Sequence, residues 1–276
     1  METKSDSRLG TEKILKLMLQ LALPSVLAQI VNVLYNIIDR IYIGRIPGVG
    51  AAALTGVGVT FPVITIVSAF AGFANGGGAP LAAIAMGQRD NKRAEKILGN
   101  STFLLLVFSG GLMAVFLGLK KPLLYMFGAS DYTIEYAASY ITVYLLGTVF
   151  VELAVGLNTF ISCQGYARTA MISVLIGAIV NIILDPVFIF VLDMGVVGAA
   201  TATVISQALS AVWVLRFLIS AKSQYGECDN YCNESWITDV WRRLVCWIYD
   251  NFTECSTADF CTNQWIHKWS TADYQL

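Results

Sequence analysis

Six apolar runs, each long enough to cross a bilayer, constrain this chain more than any other feature. They lie at about 15–43, 51–77, 97–119, 133–160, 168–192 and 196–219. A hydrocarbon core ~30 Å thick needs about 20 residues of helix at 1.5 Å per residue. In lipid the backbone must satisfy its own polar groups, so the spanning elements are helices. Only 13% of residues are charged, against about 25% in average soluble domains. The fold class is therefore all-α: a polytopic membrane protein with six transmembrane helices.

Lysine and arginine set the orientation. Lys4, Arg8, Lys13 and Lys16 precede the first run; Arg89, Lys92, Arg93 and Lys96 follow the second; Arg168, Arg216 and Lys222 fall on the same side. The opposite side has Arg40, Arg45, Lys120 and Lys121. The cytoplasmic side is the richer one, which puts both termini in the cytoplasm of a multi-pass cell-membrane protein. Residues 1–13 read as a cytoplasmic lead-in, and the polar start followed by a long apolar run predicts no cleavable signal peptide. Pro24-Ser25 is expected to interrupt the first helix. Ala71 to Gly78, with three consecutive glycines, is expected to end the second.

The polar residues inside the runs are few, and each is costly there. Asp39, Glu152 and Asp185 are the acids well inside the runs. An aspartate at the bilayer centre costs about 2.5–3.5 kcal/mol on the insertion scale. Holding it protonated at pH 7, against a reference pKa near 3.9, costs about 4 kcal/mol. The two costs are close, so such an acid is suited to exchange H⁺ or Na⁺. Asn181 and Asp185 stand four apart on one helical face. Pro186 has no N–H and frees the carbonyl of Ile182. In the first run Gln29, Asn32, Tyr35, Asn36 and Asp39 fall within about a third of the circumference at roughly 100° per residue. A polar stripe on a greasy helix faces a cavity or a partner helix. Tyr140 and Asn158, eighteen residues and five helical turns apart in the fourth run, lie on one face. Glu152 sits about 120° from both, and a helix-packing hydrogen bond in the protonated state is at least as good a reading of it as a transport role.

After about Ile219 the sequence changes character. Residues 220–276 hold five of the six cysteines and five of the six tryptophans, marking a Cys/Trp-rich tail of unknown origin, unlike the rest of the chain. Cys228-x3-Cys232 and Cys255-x5-Cys261, with His267, lack the usual Cys-x2–4-Cys pairing at both ends, so zinc is disfavoured. Residues 236–250 carry an apolar helical face suited to the membrane interface. No nucleophile–base set lies in the runs, so no enzyme is expected; no cofactor and no nucleic-acid partner are expected either.

Tyr35-Asn-Ile-Ile-Asp39-Arg-Ile-Tyr-Ile-Gly44, Gln164-Gly165, Asn181-Ile-Ile-Leu-Asp185-Pro186 and Gly198-Ala-Ala-Thr-Ala-Thr203 together resemble the N-terminal half of the multidrug and toxic compound extrusion (MATE) family of cation-coupled efflux transporters. The resemblance covers about residues 13–218 and implies a six-helix N-lobe over 14–219. It implies a cation site made by Asp39, Asn181, Asp185 and Thr203 with the carbonyl of Ala199, for Na⁺ or H⁺ as coupling ion. Tyr35, Asn36, Tyr140 and Asn158 would form the surrounding hydrogen-bond network. The implied activity is antiport that exports amphipathic, often cationic, small molecules. Family members have about twelve helices in two lobes, so this chain reads as a truncated half. Alternatives are a non-transporting membrane fragment or anchor, and a flippase-like protein for lipid-linked oligosaccharides. Membrane lipids are expected neighbours, and a homodimer would be one way to supply a second lobe.

Overall fold

The computed structural model describes residues 14–219. The lead-in, the tail and the zinc and interfacial-helix readings made for the tail lie outside the described residues. Seven α-helices run in order: α1 Ile14–Gly44, α2 Gly50–Gly87, α3 Asn91–Met126, α4 Ile134–Leu146, α5 Thr148–Cys163, α6 Ala167–Pro186 and α7 Gly195–Ile219. A π-helical turn, Val187–Val191, joins α6 to the last connection. Five of these segments are long and apolar enough to cross a membrane singly; α4 and α5, bent by 58°, make a sixth as a pair. The all-α, six-span expectation holds among the described residues.

Two expected helix breaks are absent. Pro24 sits inside the continuous α1, and α2 runs through the three glycines and Pro80 to Gly87. The buried side of α2 explains its length. Ala71, Ala74, Ala82 and Ala85 extend a stripe at helical spacing, and all four are buried. Within that stripe a Cβ on Gly78 would lie 2.9 Å from the Phe160 ring and crowd Ser101, so α3 and α5 hold the glycine stretch helical. Tertiary packing outweighs the roughly 1 kcal/mol that each glycine costs a helix interior. Five of the six prolines lie within helices, a pattern that neighbouring helices make tolerable in membranes.

The fourth span departs in the other direction. It is expected as one helix over 133–160, yet it bends at Gly147, where a Cβ would strike the Val204 side chain. The bend lets α7 pack close. At the α2–α3 connection Asp90 caps α3 by accepting a hydrogen bond from the Arg93 amide at 3.1 Å. Arg89 takes φ 59° in the preceding turn.

Helix α1 packs chiefly on α6, and α7 sits against α5 and α6. Aliphatic residues on the outer side of α1 (Ile30, Leu34, Ile37, Ile41) are exposed, as lipid-facing residues should be. The core contains Ile43, Val67, Leu105, Leu145, Phe160 and Ile161, all fully or nearly fully buried. The polar residues that interrupt this apolar interior define the site.

Candidate functional site

Helices α1, α6 and α7 bring the costly polar residues together. Asp39, Asn181 and Asp185 are buried, the last two completely. The Asn181 amide nitrogen donates to Asp185 Oδ1 at 3.1 Å and lies 3.4 Å from Thr203 Oγ1. The Thr203 hydroxyl donates to the Ala199 carbonyl at 3.0 Å. The Asp39 and Asp185 carboxyls face each other across the α1–α6 contact, each acting electrostatically on the other.

Two carboxylates cannot hydrogen-bond without a proton, because each only accepts. Asp39 Oδ1, Asn181 Oδ1 and Asp185 Oδ2 are all buried without a donor. Three orphan acceptor oxygens at one place are expensive in an apolar interior. A shared proton or a small hard cation would relieve these acceptors. The Ala199 carbonyl is engaged by Thr203 in this geometry, so it would join a cation only as the hydroxyl turns away. Among the described residues no group of three or more His, Cys, Asp or Glu side chains suggests a transition-metal site.

The surrounding shell is partly as expected. Tyr35 contacts Asn36 and Gln207, and its hydroxyl lies in the field of Asp39 and Asp185. Tyr140, buried, reaches the Thr203 hydroxyl and stacks on Tyr144 with ring centroids 6.4 Å apart. Asn36 is exposed and donates to the Asn32 carbonyl at 2.7 Å. Gln29 is exposed as well, so the polar stripe of α1 splits: Tyr35 and Asp39 turn toward α6 and α7, while Gln29 and Asn36 line the open side.

Asn158 does not join this cluster. Its amide oxygen accepts from Ser173 at 2.9 Å, and its amide nitrogen donates to the Ala170 carbonyl at 3.3 Å. Ser173 precedes Asn181 by eight residues, about 12 Å along α6. The shared face with Tyr140 assumed a straight fourth span, and the bend at Gly147 removes that premise. Ser210 completes the separate knot by donating to the Ser173 carbonyl at 3.0 Å. Gln207 is the shell residue that the sequence analysis passed over. It follows Thr203 by four, as Thr203 follows Ala199, and that spacing is the signal that marks it.

Pro186 acts on the backbone beneath Asp185. The Val187 amide bonds the Leu184 carbonyl, and the Leu192 amide reaches back five residues to Val187 at 2.9 Å. The regular ladder ends one residue beyond the acid. Pro186→Ala supplies the missing N–H and is expected to weaken ion binding about three- to tenfold, matching one net hydrogen bond of 0.5–1.5 kcal/mol. Ion titration beside far-UV circular dichroism checks this. Unchanged affinity with unchanged helix content would make the proline a packing feature only.

The MatE family model matches residues 24–187. The multidrug export protein MepA of Staphylococcus haemolyticus (strain JCSC1435) is 28% identical over 202 residues, covering 73% of this chain and 44% of that protein. MepA of Staphylococcus aureus (strain NCTC 8325 / PS 47) is 25% identical over 206 residues, covering 75% and 45%. The chain thus spans less than half the length of these curated relatives. Among solved structures, one described as MATE in the bent conformation superposes with a TM-score of 0.75 at 26% identity, covering 91% of this chain and 55% of the other. An outward-facing multidrug resistance MATE family transporter of the MOP superfamily gives 0.71 at 26%, covering 86% and 52%. With its membrane-spanning helices, its paired acids on α1 and α6 and a family match over most of the described residues, this chain belongs to the MatE family.

Proposed function

We propose that the chain is one six-helix lobe of a cation-coupled multidrug exporter of the cell membrane, with both termini cytoplasmic. Asp39, Asn181, Asp185 and Thr203 hold the coupling ion, Na⁺ or H⁺. The observation that carries this reading is the meeting of two acids from different helices around three donorless oxygens. An ion entering there joins α1 to α6, and its departure leaves two acids that cannot both stay charged at close range. Binding therefore biases how α1 sits on the lobe. The exposed strip of Gln29, Asn36 and Arg40 lies on the neighbouring side of α1, where an exported amphipathic molecule would meet a polar wall beside the apolar Phe61.

The test uses the full chain in lipid nanodiscs, with spin labels placed on α1 and α7. Addition of Na⁺, or a step from pH 8 to pH 5, should change the α1–α7 distance distribution, and ethidium efflux in cells measures export. A distribution indifferent to both Na⁺ and pH would overturn the ion site. Efflux at background with an intact ion response would restrict the reading to ion binding.

One observation favours the flippase-like reading. The Arg40 guanidinium lies 5.5 Å from the centroid of the exposed Phe61 ring. A guanidinium held on the open face of the lobe, four residues before the end of α1, suits an anionic headgroup. Transport of a lipid-linked sugar pyrophosphate with no ethidium efflux would favour that assignment.

A further inference from the structure

Glu152 lies outside the site just described, on α5, and is 1% exposed. Neither of its carboxyl oxygens has a hydrogen-bond partner. The packing hydrogen bond that the sequence allowed for this residue is not formed. We infer that Glu152 is a proton-binding site of the lobe, separate from the Asp39–Asp185 pair.

The surroundings leave the carboxyl no other way to be neutralised. Helix α5 packs against α2, α3, α6 and α7. Among these, α2 has no ionisable side chain from Gly50 to Gly87, and α3 has none between Lys96 and Lys120. α7 has none before Arg216, and α6 has only Arg168 near its start and Asp185 near its end. From α4 the group that acts on Glu152 is the Tyr144 phenol, also buried and without positive charge. A carboxylate here would be a charge with no counter-charge and no donor, near the middle of its span. Such groups neutralise rather than remain charged. The neutralising step is simple: a proton from the aqueous phase adds to one oxygen, and loss of the same proton restores the carboxylate.

Tyr144 stacks on Tyr140, which borders the acid-pair cluster, so Glu152 lies close to that cluster without being bonded to it. The lobe then has two places where a proton can reside, and a one-site description of its pH response is incomplete.

Infrared difference spectroscopy of the full chain in nanodiscs tests this. The Asp39→Asn/Asp185→Asn double variant should keep a protonated-carboxyl band at pH 7 that disappears reversibly on alkalinisation. Adding Glu152→Gln should remove that band. Uniform ¹³C-glutamate labelling of the double variant should shift it, which identifies glutamate even if the triple variant folds poorly. A double variant with no such band, or a band that survives Glu152→Gln, would overturn the inference. A band that never responds to pH would also overturn it. Because the acid pair is absent in these variants, none of these outcomes depends on the ion-site reading above.

Discussion

Asp39→Asn and Asp185→Asn are each expected to abolish the Na⁺- or pH-dependent movement of α1 while leaving the protein inserted and helical. Asparagine keeps the shape and one oxygen but removes the charge. At an effective dielectric of about 20, a unit charge 4 Å away contributes about 4 kcal/mol to a cation. That corresponds to a loss of affinity of about 10²–10³-fold. Stability should move in the opposite sense or hardly at all. The lobe holds two acids facing each other and three orphan oxygens, and an amide at either acid adds a donor where none exists. The Asp185 change should have the larger effect, because Asp185 is fully buried and its one remaining oxygen cannot both accept the 3.1 Å bond from Asn181 and face the ion. Distance measurements by spin labelling and thermal unfolding in detergent separate the two quantities. Ion dependence surviving in both variants would remove the acid pair from the coupling site.

This asymmetry follows from chemistry that is visible in the chain itself. Asp39, Asn181 and Asp185 stand out because polar groups inside apolar runs must answer one another; Thr203 and Ala199 are what the resemblance adds, and the structure brings them together. Tyr140 comes with them. The shared face with Tyr140 and the resemblance both put Asn158 in the network, yet its partners are Ser173 and Ala170. The failure traces to Gly147. A bend made by close approach of Val204 from α7 depends on residues more than fifty positions apart, and no local signal announces it. The second helix misled in the reverse way. Gly76-Gly77-Gly78 and Pro80 read locally as a stop, while the alanines at 71, 74, 82 and 85 keep a helical stripe that the packing confirms. Periodicity of small residues was the better guide. Gln207 was legible by its spacing from Thr203.

The second large effect is expected at Gly198, where α7 passes the π-helical turn. A Cβ there would lie 2.7 Å from both the carbonyl carbon and oxygen of Phe188, and 3.1 Å from the Ile189 nitrogen. These are backbone atoms, which cannot rotate aside as a side chain can. Gly198→Ala must therefore push α7 away from the turn, and overpacking of this kind costs about 1–3 kcal/mol; Gly198→Val should cost more. The displacement falls next to the site. Ala199 is the following residue, and Thr203 is one turn further on, bonded to both Ala199 and Asn181. Ion affinity should fall together with thermal stability, a joint loss that distinguishes this glycine from a merely flexible one. Gly58→Ala is the matching control. It lies inside α2, is exposed, and a Cβ there meets nothing within 4 Å. Removing glycine from an open helix position stabilises by up to about 1 kcal/mol, so the two alanine substitutions should move the unfolding temperature in opposite directions. Equal shifts in both variants would show that the contact between α7 and the Phe188 backbone gives way readily, and that the ion site is not held in place by it.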